Sequence, residues 1–256
     1  MAIKFLTDQP AAYISEIKTL VVADLHLGIE HELYKSGIVI PPQAEKFRKQ
    51  IERLVSLTTA EKLVILGDLK HKVPGISFRE ELEIPKMVEQ LASKVKIILT
   101  KGNHDTELED IIAKSVKIYS SRGFRIDKYG FFHGHAWPSK RLMGCDWLFM
   151  AHIHPVVEFR DNFGHRIVEQ VWIRGSLDAE AVKKKYKVRK VGKLHTIIVP
   201  VFNKLLGGVA INKISKDELF GPLLTNKVFD VDRSKAYMLD GTFLGSIKQL
   251  KKFKIK

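Results

Sequence analysis

The chain has 256 residues, 45% hydrophobic and 28% charged, the balance of a globular protein with one large domain or a domain plus an appendage. It contains no run of about 18 apolar residues, which excludes a spanning helix, and Cys145, its single cysteine, excludes an internal disulfide and a cysteine-rich zinc site. A net charge of +14 and a pI near 9.7 fit two readings: polyanionic partners, nucleic acid first, or a generally lysine-rich surface. The opening residues, Met1 to Asp8, carry no signal-peptide core, so a cytoplasmic location is the expectation.

Thr19 to Ala23 is a short, wholly apolar run ending at Asp24, as expected of a strand buried on both faces. Pro41-Pro42 then opens a helix, with Phe47, Ile51, Leu54, Val55 and Leu57 at helical spacing. Lys62 to Leu66 is a second buried strand, closed by Gly67-Asp68. Phe78, Leu82, Met87, Val88 and Leu91 predict another helix, interrupted at Pro85. Val95 to Leu99 is a third buried strand. Strand, helix, strand, helix, strand is the order of a right-handed parallel sheet with helices outside.

After about residue 115 the rhythm changes. Gly123 to Ile126, Tyr129 to Phe132, Trp147 to Met150, Val156 to Phe159 and Arg166 to Trp172 read as short strands. Asp161-Asn162-Phe163-Gly164 is the clearest turn between them. Helices are scarce, so a second sheet packed on the first is expected. Residues 1–180 form the expected core, and 181–256 a basic part that completes the same domain. That part holds the run Lys183 to Lys190, one more strand at Leu194 to Val201, and a lysine-rich tail from Lys248 to Lys256. The two basic runs are either solvated surface or a phosphate-backbone contact. Trp137 and Trp172 are either base-stacking residues or buried structural ones.

Five fragments sit where strands should end: Asp24-Leu25-His26-Leu27-Gly28, Gly67-Asp68-Leu69-Lys70-His71, Gly102-Asn103-His104-Asp105, Phe132-His133-Gly134-His135, and Ala151-His152-Ile153-His154-Pro155. They hold seven of the ten histidines, far beyond chance scatter. The C-terminal edge of a parallel sheet is where α/β proteins assemble ligand sites. Asp24 and His26 are two apart, as are His152 and His154, so each pair can reach one centre from an extended backbone. Aspartate and asparagine oxygens with histidine nitrogens suit Mn, Fe or Zn better than Ca. About seven ligands are too many for one cation. Two divalent cations about 3.5–4 Å apart, bridged by a carboxylate and a hydroxide, fit the count, with Asp68 as the bridge. His104 can give a proton to a leaving group, and Asp105 can orient its ring.

These fragments, in this order, resemble the calcineurin-like metallophosphoesterase superfamily over residues 20 to about 177, with Arg174-Gly175-Ser176 resembling its closing Gly-Ser turn. The resemblance implies an α/β fold, a four-layer α/β/β/α sandwich of two packed sheets, and a dinuclear site on its crest. It implies Asp24, His26, Asp68 and His154 around one cation, and Asp68, Asn103, His133 and His152 around the other. His104 becomes the proton donor, steered by Asp105. The cations are expected to be Mn first, with Fe, Zn or Ni as alternatives. Two of the fragments, Ala23 to Gly28 and Gly67 to His71, resemble the SbcD-related archaeal phosphoesterases and the ligase-associated phosphoesterases. Nucleases of the former type carry a histidine in the place of His71 that contacts substrate near the scissile phosphate. Three departures stand out: Ala151 replaces the usual glycine, His133 and His135 share a strand face so that periodicity cannot choose between them, and the last 75 or so residues do not match the DNA-binding cap of the larger nucleases. His133 is preferred as directly following the apolar strand.

The activity so implied is phosphodiester hydrolysis, with DNA or RNA as first substrate and a small nucleotide or cyclic phosphodiester as second. From another class, the chain could be a nucleic-acid-binding or scaffold protein with a vestigial site. Its oligomeric state is open.

Overall fold

The computed structural model describes residues 2–114, 116–161, 163–214 and 220–252. Asn162 of the expected turn, and residues 253–256 of the lysine-rich tail, lie outside them. Among the described residues the strands form two sheets. The first holds β1 (Ile3–Phe5), β2 (Ala12–Ile14), β3 (Thr19–Val22), β4 (Lys62–Leu66), β5 (Lys96–Thr100) and β6 (Lys117–Tyr119), in that spatial order. From β3 to β6 the pairing is parallel. The β1–β2–β3 edge is antiparallel, a meander that the sequence reading did not anticipate.

The second sheet holds β7 (Phe124–Ile126), β8 (Tyr129–Phe131), β9 (Trp147–Met150), β10 (Pro155–Arg160), β11 (Arg166–Ser176), β12 (His195–Ile198), β13 (Val209–Ala210), β14 (Lys235–Met238) and β15 (Phe243–Ser246). β10 and β11 form the expected hairpin. Asp161 turns it by accepting the N–H groups of Phe163 at 2.9 Å and His165 at 2.8 Å. β11 runs four residues beyond the expected Trp172. Arg174-Gly175-Ser176 is therefore strand, paired with Ile197, Thr196 and His195, and not a turn.

The helices are α1 (Ile29–Lys35), α2 (Ala44–Thr58), α3 (Phe78–Ala92), α4 (Leu108–Ile111), α5 (Ala179–Tyr186), α6 (Pro222–Thr225) and α7 (Ile247–Leu250). Strand side chains alternate between faces, and the cores follow that alternation. Leu20, Val22, Leu63, Ile65, Ile97 and Leu99 face α2 and α3. Val21, Ala23, Val64, Leu66 and Ile98 face Phe131, Phe149, Trp172 and Ile197 of the second sheet. The other side of that sheet packs on Val182, Leu223, Leu224, Ile247 and Leu250 of α5, α6 and α7. The result is four layers: helices, sheet, sheet, helices.

Two helix expectations need correction. Pro85 does not interrupt α3, which runs through it. A proline removes one hydrogen bond, and burial of Ile84, Met87, Val88 and Leu91 carries the helix across the gap. Phe78, Leu82 and Leu57 fit the apolar spacing, yet they are 80%, 63% and 71% exposed. They sit at helix ends or on the outer face, beyond the reach of the sheet. The run Lys183 to Lys190 begins inside α5, whose first turn is capped by Asp178 accepting from the Ala181 N–H at 2.7 Å.

Candidate metal centre

Because β3, β4 and β5 are parallel and in register, the residues that follow them emerge at one edge. β8 and β9, also parallel, deliver residues 132–135 and 151–154 side by side. The two edges meet. His152 donates its N–H to Asp24 Oδ2 at 3.2 Å, and His133 Nδ1 donates to the Leu66 carbonyl at 2.7 Å. The chain bends sharply at this crest. Asp24, His26, Asp68, His152 and His154 all hold a positive φ, between 44° and 75°. That region is costly for residues with a Cβ, and it clusters at sites where side-chain placement outweighs backbone ease. Gly67 and Gly102 permit the crowding. A Cβ on Gly67 would lie 2.4 Å from His133 Nδ1, and one on Gly102 would lie 2.0 Å from Asp68 Oδ1.

Two groups of donors result. Asp24, His26 and His154 bring ligand atoms within 4.8 Å of one another, and so do Asp68, His133 and His152. Asp68 connects them: its Oδ2 lies 3.5 Å from His26 Nε2 and 3.3 Å from His133 Nε2, while its Oδ1 accepts the His104 N–H at 2.8 Å. Asn103 Oδ1 joins the second group, 3.2 Å from His133 Nε2. Asp24 Oδ2 lies 3.5 Å from His154 Nε2.

The electrostatics suit cations. Asp24 Oδ1, His26 Nε2 and His154 Nε2 are buried without a hydrogen-bond partner among the described residues. Buried polar atoms are normally satisfied, and a convergent set of orphans is the mark of a missing positive charge. Burial holds His26 down to about 2 and His152 down to about 3, so both offer lone pairs. Burial would lower His133 too, but the Asp68 and Asp24 carboxylates outweigh it and raise the ring to about 9. That proton occupies the field of two carboxylates, where a divalent cation would be held more strongly. With Nδ1 committed to the Leu66 carbonyl, His133 presents Nε2 to the site.

All ten residues singled out in the sequence lie at this crest, but two are not placed for the expected task. Asp105 does not face His104. Its Oδ1 accepts the N–H groups of Leu69 at 2.9 Å and Lys70 at 3.3 Å, and its Oδ2 that of Gly102 at 2.8 Å. It ties together the loops after β4 and β5. Burial, then the nearby Asp68 charge, pushes its carboxyl up to about 6. His104 Nδ1 instead meets the His71 carbonyl. His71 has both ring nitrogens engaged, with His26 and with Glu32, which leaves neither free for a phosphate. His135 lies beside His133, ring centroids 5.1 Å apart, but it belongs to neither donor group.

Sequence reasoning missed Asn203, which follows β12. It is fully buried and donates to the Leu25 carbonyl at 2.9 Å, bracing the Asp24–His26 loop from 177 residues away. It also missed Phe220, half exposed, which lines a cavity of about 330 Å³ together with His152, Ile153, His154, Gly207, Gly208 and Val209. Neither carries a local signal. Trp172, by contrast, is a core residue set edge-on against Phe5, and Trp137 lies beneath the Lys185 ammonium.

The family model for calcineurin-like phosphoesterases matches residues 17–189, more than half of the chain. The structure is similar to that of a nuclease MPE from Pseudomonas putida, with a TM-score of 0.59, 18% identity and 94% of each chain covered. It is less similar to YfcE, a phosphoesterase from E. coli, with a TM-score of 0.41, 16% identity, and 89% of this chain and 96% of the other covered. No curated protein is a significant sequence match. Among the described residues no helix is long and apolar enough to cross a membrane.

Proposed function

Since the chain belongs to the calcineurin-like phosphoesterase family, we propose that it hydrolyses phosphodiester bonds of nucleic acid at a centre for two divalent cations, Mn first. The observation that carries this reading is the position of Asp68, one oxygen of which faces both His26 and His133. One cation would be held by Asp24, His26, Asp68 and His154, the other by Asp68, Asn103, His133 and His152. Fe, Zn and Ni fit the same oxygen and nitrogen donors.

Bound divalent cations supply Lewis acidity, activating a water as nucleophile and neutralising the oxygens on phosphorus. The remaining work belongs to the chain. The His71 carbonyl fixes the proton of His104 on Nδ1, so Nε2 is the atom that carries a second proton to the departing oxygen. The His104 backbone, donating to Asp68 Oδ1, fixes this ring relative to the cation-binding carboxylate. Asp105 keeps the loop in place through three backbone N–H groups. Phe220 stands beside His152 and His154, where a base next to the scissile phosphate could stack on it. The charge of +14 supports a polyanionic substrate.

The test is a substrate panel in Mn: single-stranded and duplex DNA, RNA, cyclic and mononucleotides, and a chromogenic phosphodiester. Cleavage of the polymers that chelator abolishes and His104→Gln suppresses is the expected result. Turnover confined to the small nucleotides would replace nucleic acid with a small phosphodiester. No turnover of any diester, with wild type equal to His104→Gln, would leave a binding or scaffold protein.

A further inference from the structure

The expected ligands leave one part of the crest unexplained. His26, His71 and His104 form a third cluster of ring nitrogens, overlapping the first donor group only at His26. His26 Nδ1 lies 3.1 Å from His71 Nδ1. Two ring nitrogens at that distance share one proton, so one donates and the other accepts. The far nitrogen of His71, Nε2, meets the carboxylate of Glu32. A carboxylate only accepts, so His71 Nε2 carries hydrogen. In the neutral ring Nδ1 is then a lone pair. His26 must therefore carry its hydrogen on Nδ1, which leaves Nε2 as the lone pair. That atom is the one 3.5 Å from Asp68 Oδ2, buried and without a hydrogen-bond partner.

We infer that Glu32, acting through His71, fixes His26 in the tautomer whose Nε2 faces the cation site, and is thereby a positioning residue of that centre. This rests on the reading of the site given above. Glu32 lies in α1, its side chain 71% exposed, and it belongs to neither donor group. His71 is held from its own backbone: its N–H donates to Glu80 Oε1 at 2.9 Å, and its carbonyl engages His104 Nδ1. Its ring is stacked on that of His104, centroids 5.4 Å apart. The ring thus has little freedom to turn, and Glu32 decides which nitrogen is protonated. A partner of this kind behind a ligating histidine typically changes metal affinity 10–100-fold.

The competing account makes His26, His71 and His104 the ligands of a third cation. It requires both Nδ1 atoms to be lone pairs.

The experiment is Mn titration of chelator-treated protein by calorimetry, together with ¹⁵N NMR of the histidine rings of the metal-free protein. Wild type is expected to bind two Mn and to show His26 protonated on Nδ1. Glu32→Ala is expected to weaken one Mn about 10–100-fold and to give His26 a mixture of tautomers, with an unchanged unfolding temperature. Glu32→Gln, whose amide oxygen still accepts, is expected to stay within a few-fold of wild type. Glu32→Lys, a pure donor, is expected to be the weakest. Unchanged Mn affinities in Glu32→Ala, His26 protonated on Nε2 in wild type, or a third bound Mn would each overturn the inference. Failure of wild type to bind Mn, with Asp24→Asn no different, would instead overturn the reading of the site. The NMR tautomer would then still decide whether the hydrogen-bond chain exists.

Discussion

In the proposed mechanism Asp68 links the two cations and His104 protonates the leaving group, and the His104 N–H donates to the Asp68 carboxylate at 2.8 Å. The division is testable. His104→Gln keeps a side chain of similar reach and removes the titratable ring, so Mn stoichiometry by calorimetry should stay at the wild-type value. Its kcat on a phosphodiester should fall about 10²–10⁴-fold. Gly102→Ala should act in the opposite way. The added methyl would lie 2.0 Å from Asp68 Oδ1 and 2.4 Å from Asp68 N, contacts that no Cβ makes without moving its neighbour. Displacement of the shared carboxylate should weaken both cations, and calorimetry should show the loss even though no ligand has been changed. If Gly102→Ala binds two Mn as tightly as wild type, Asp68 is not the link between the two groups. That these side chains would converge was legible in the sequence, because their types and spacings are chemically restrictive. The partners of His104 and Asp105 were not. Adjacency along the chain suggested a pair, whereas the bend after Gly102 sends the carboxylate inward and the imidazole outward.

The central strands were legible as elements, since runs such as Leu63 to Leu66 are apolar on both faces and each face finds its own core. The strands β1, β2 and β6 are three residues long and were not read from the sequence, although the equally short β7 and β8 were. The burial of α3 was readable only in part. Its stripe is Ile84, Met87, Val88 and Leu91, while Leu82 satisfies the spacing but faces water. Leu82→Lys should therefore leave the urea unfolding free energy within about 0.5 kcal/mol of wild type. Met87→Ala, in the same helix, should cost about 2–5 kcal/mol. Equal effects would mean that α3 packs on the sheet through a different face. The continuity of α3 through Pro85 makes the same point: local propensity loses to the burial of a whole stripe.

At the scale of the molecule, the charge of +14 is spread over many elements, α5 among them with Lys183, Lys184 and Lys185 in its last turn. If that surface holds a nucleic-acid backbone, cleavage of long polymers should fall steeply between about 50 and 200 mM salt, through release of counterions. A small chromogenic diester should be cleaved at nearly constant rate over the same range. Parallel salt responses would sever the surface from the activity. By itself the sequence determined the family, the parallel core and the set of carboxylate, amide and imidazole side chains that meet at the crest, because such side chains at strand ends are few and their order is distinctive. Tertiary structure alone decided the connections among them: that Asp68 stands between the two donor groups, that Asp105 serves backbone amides, that Asn203 props a loop far from it in the chain, and that Glu32 stands behind His71. The physical reason is that a ligand's type is a local property of the chain, whereas its hydrogen-bond partner and its orientation are set by whichever segments the two sheets bring into contact.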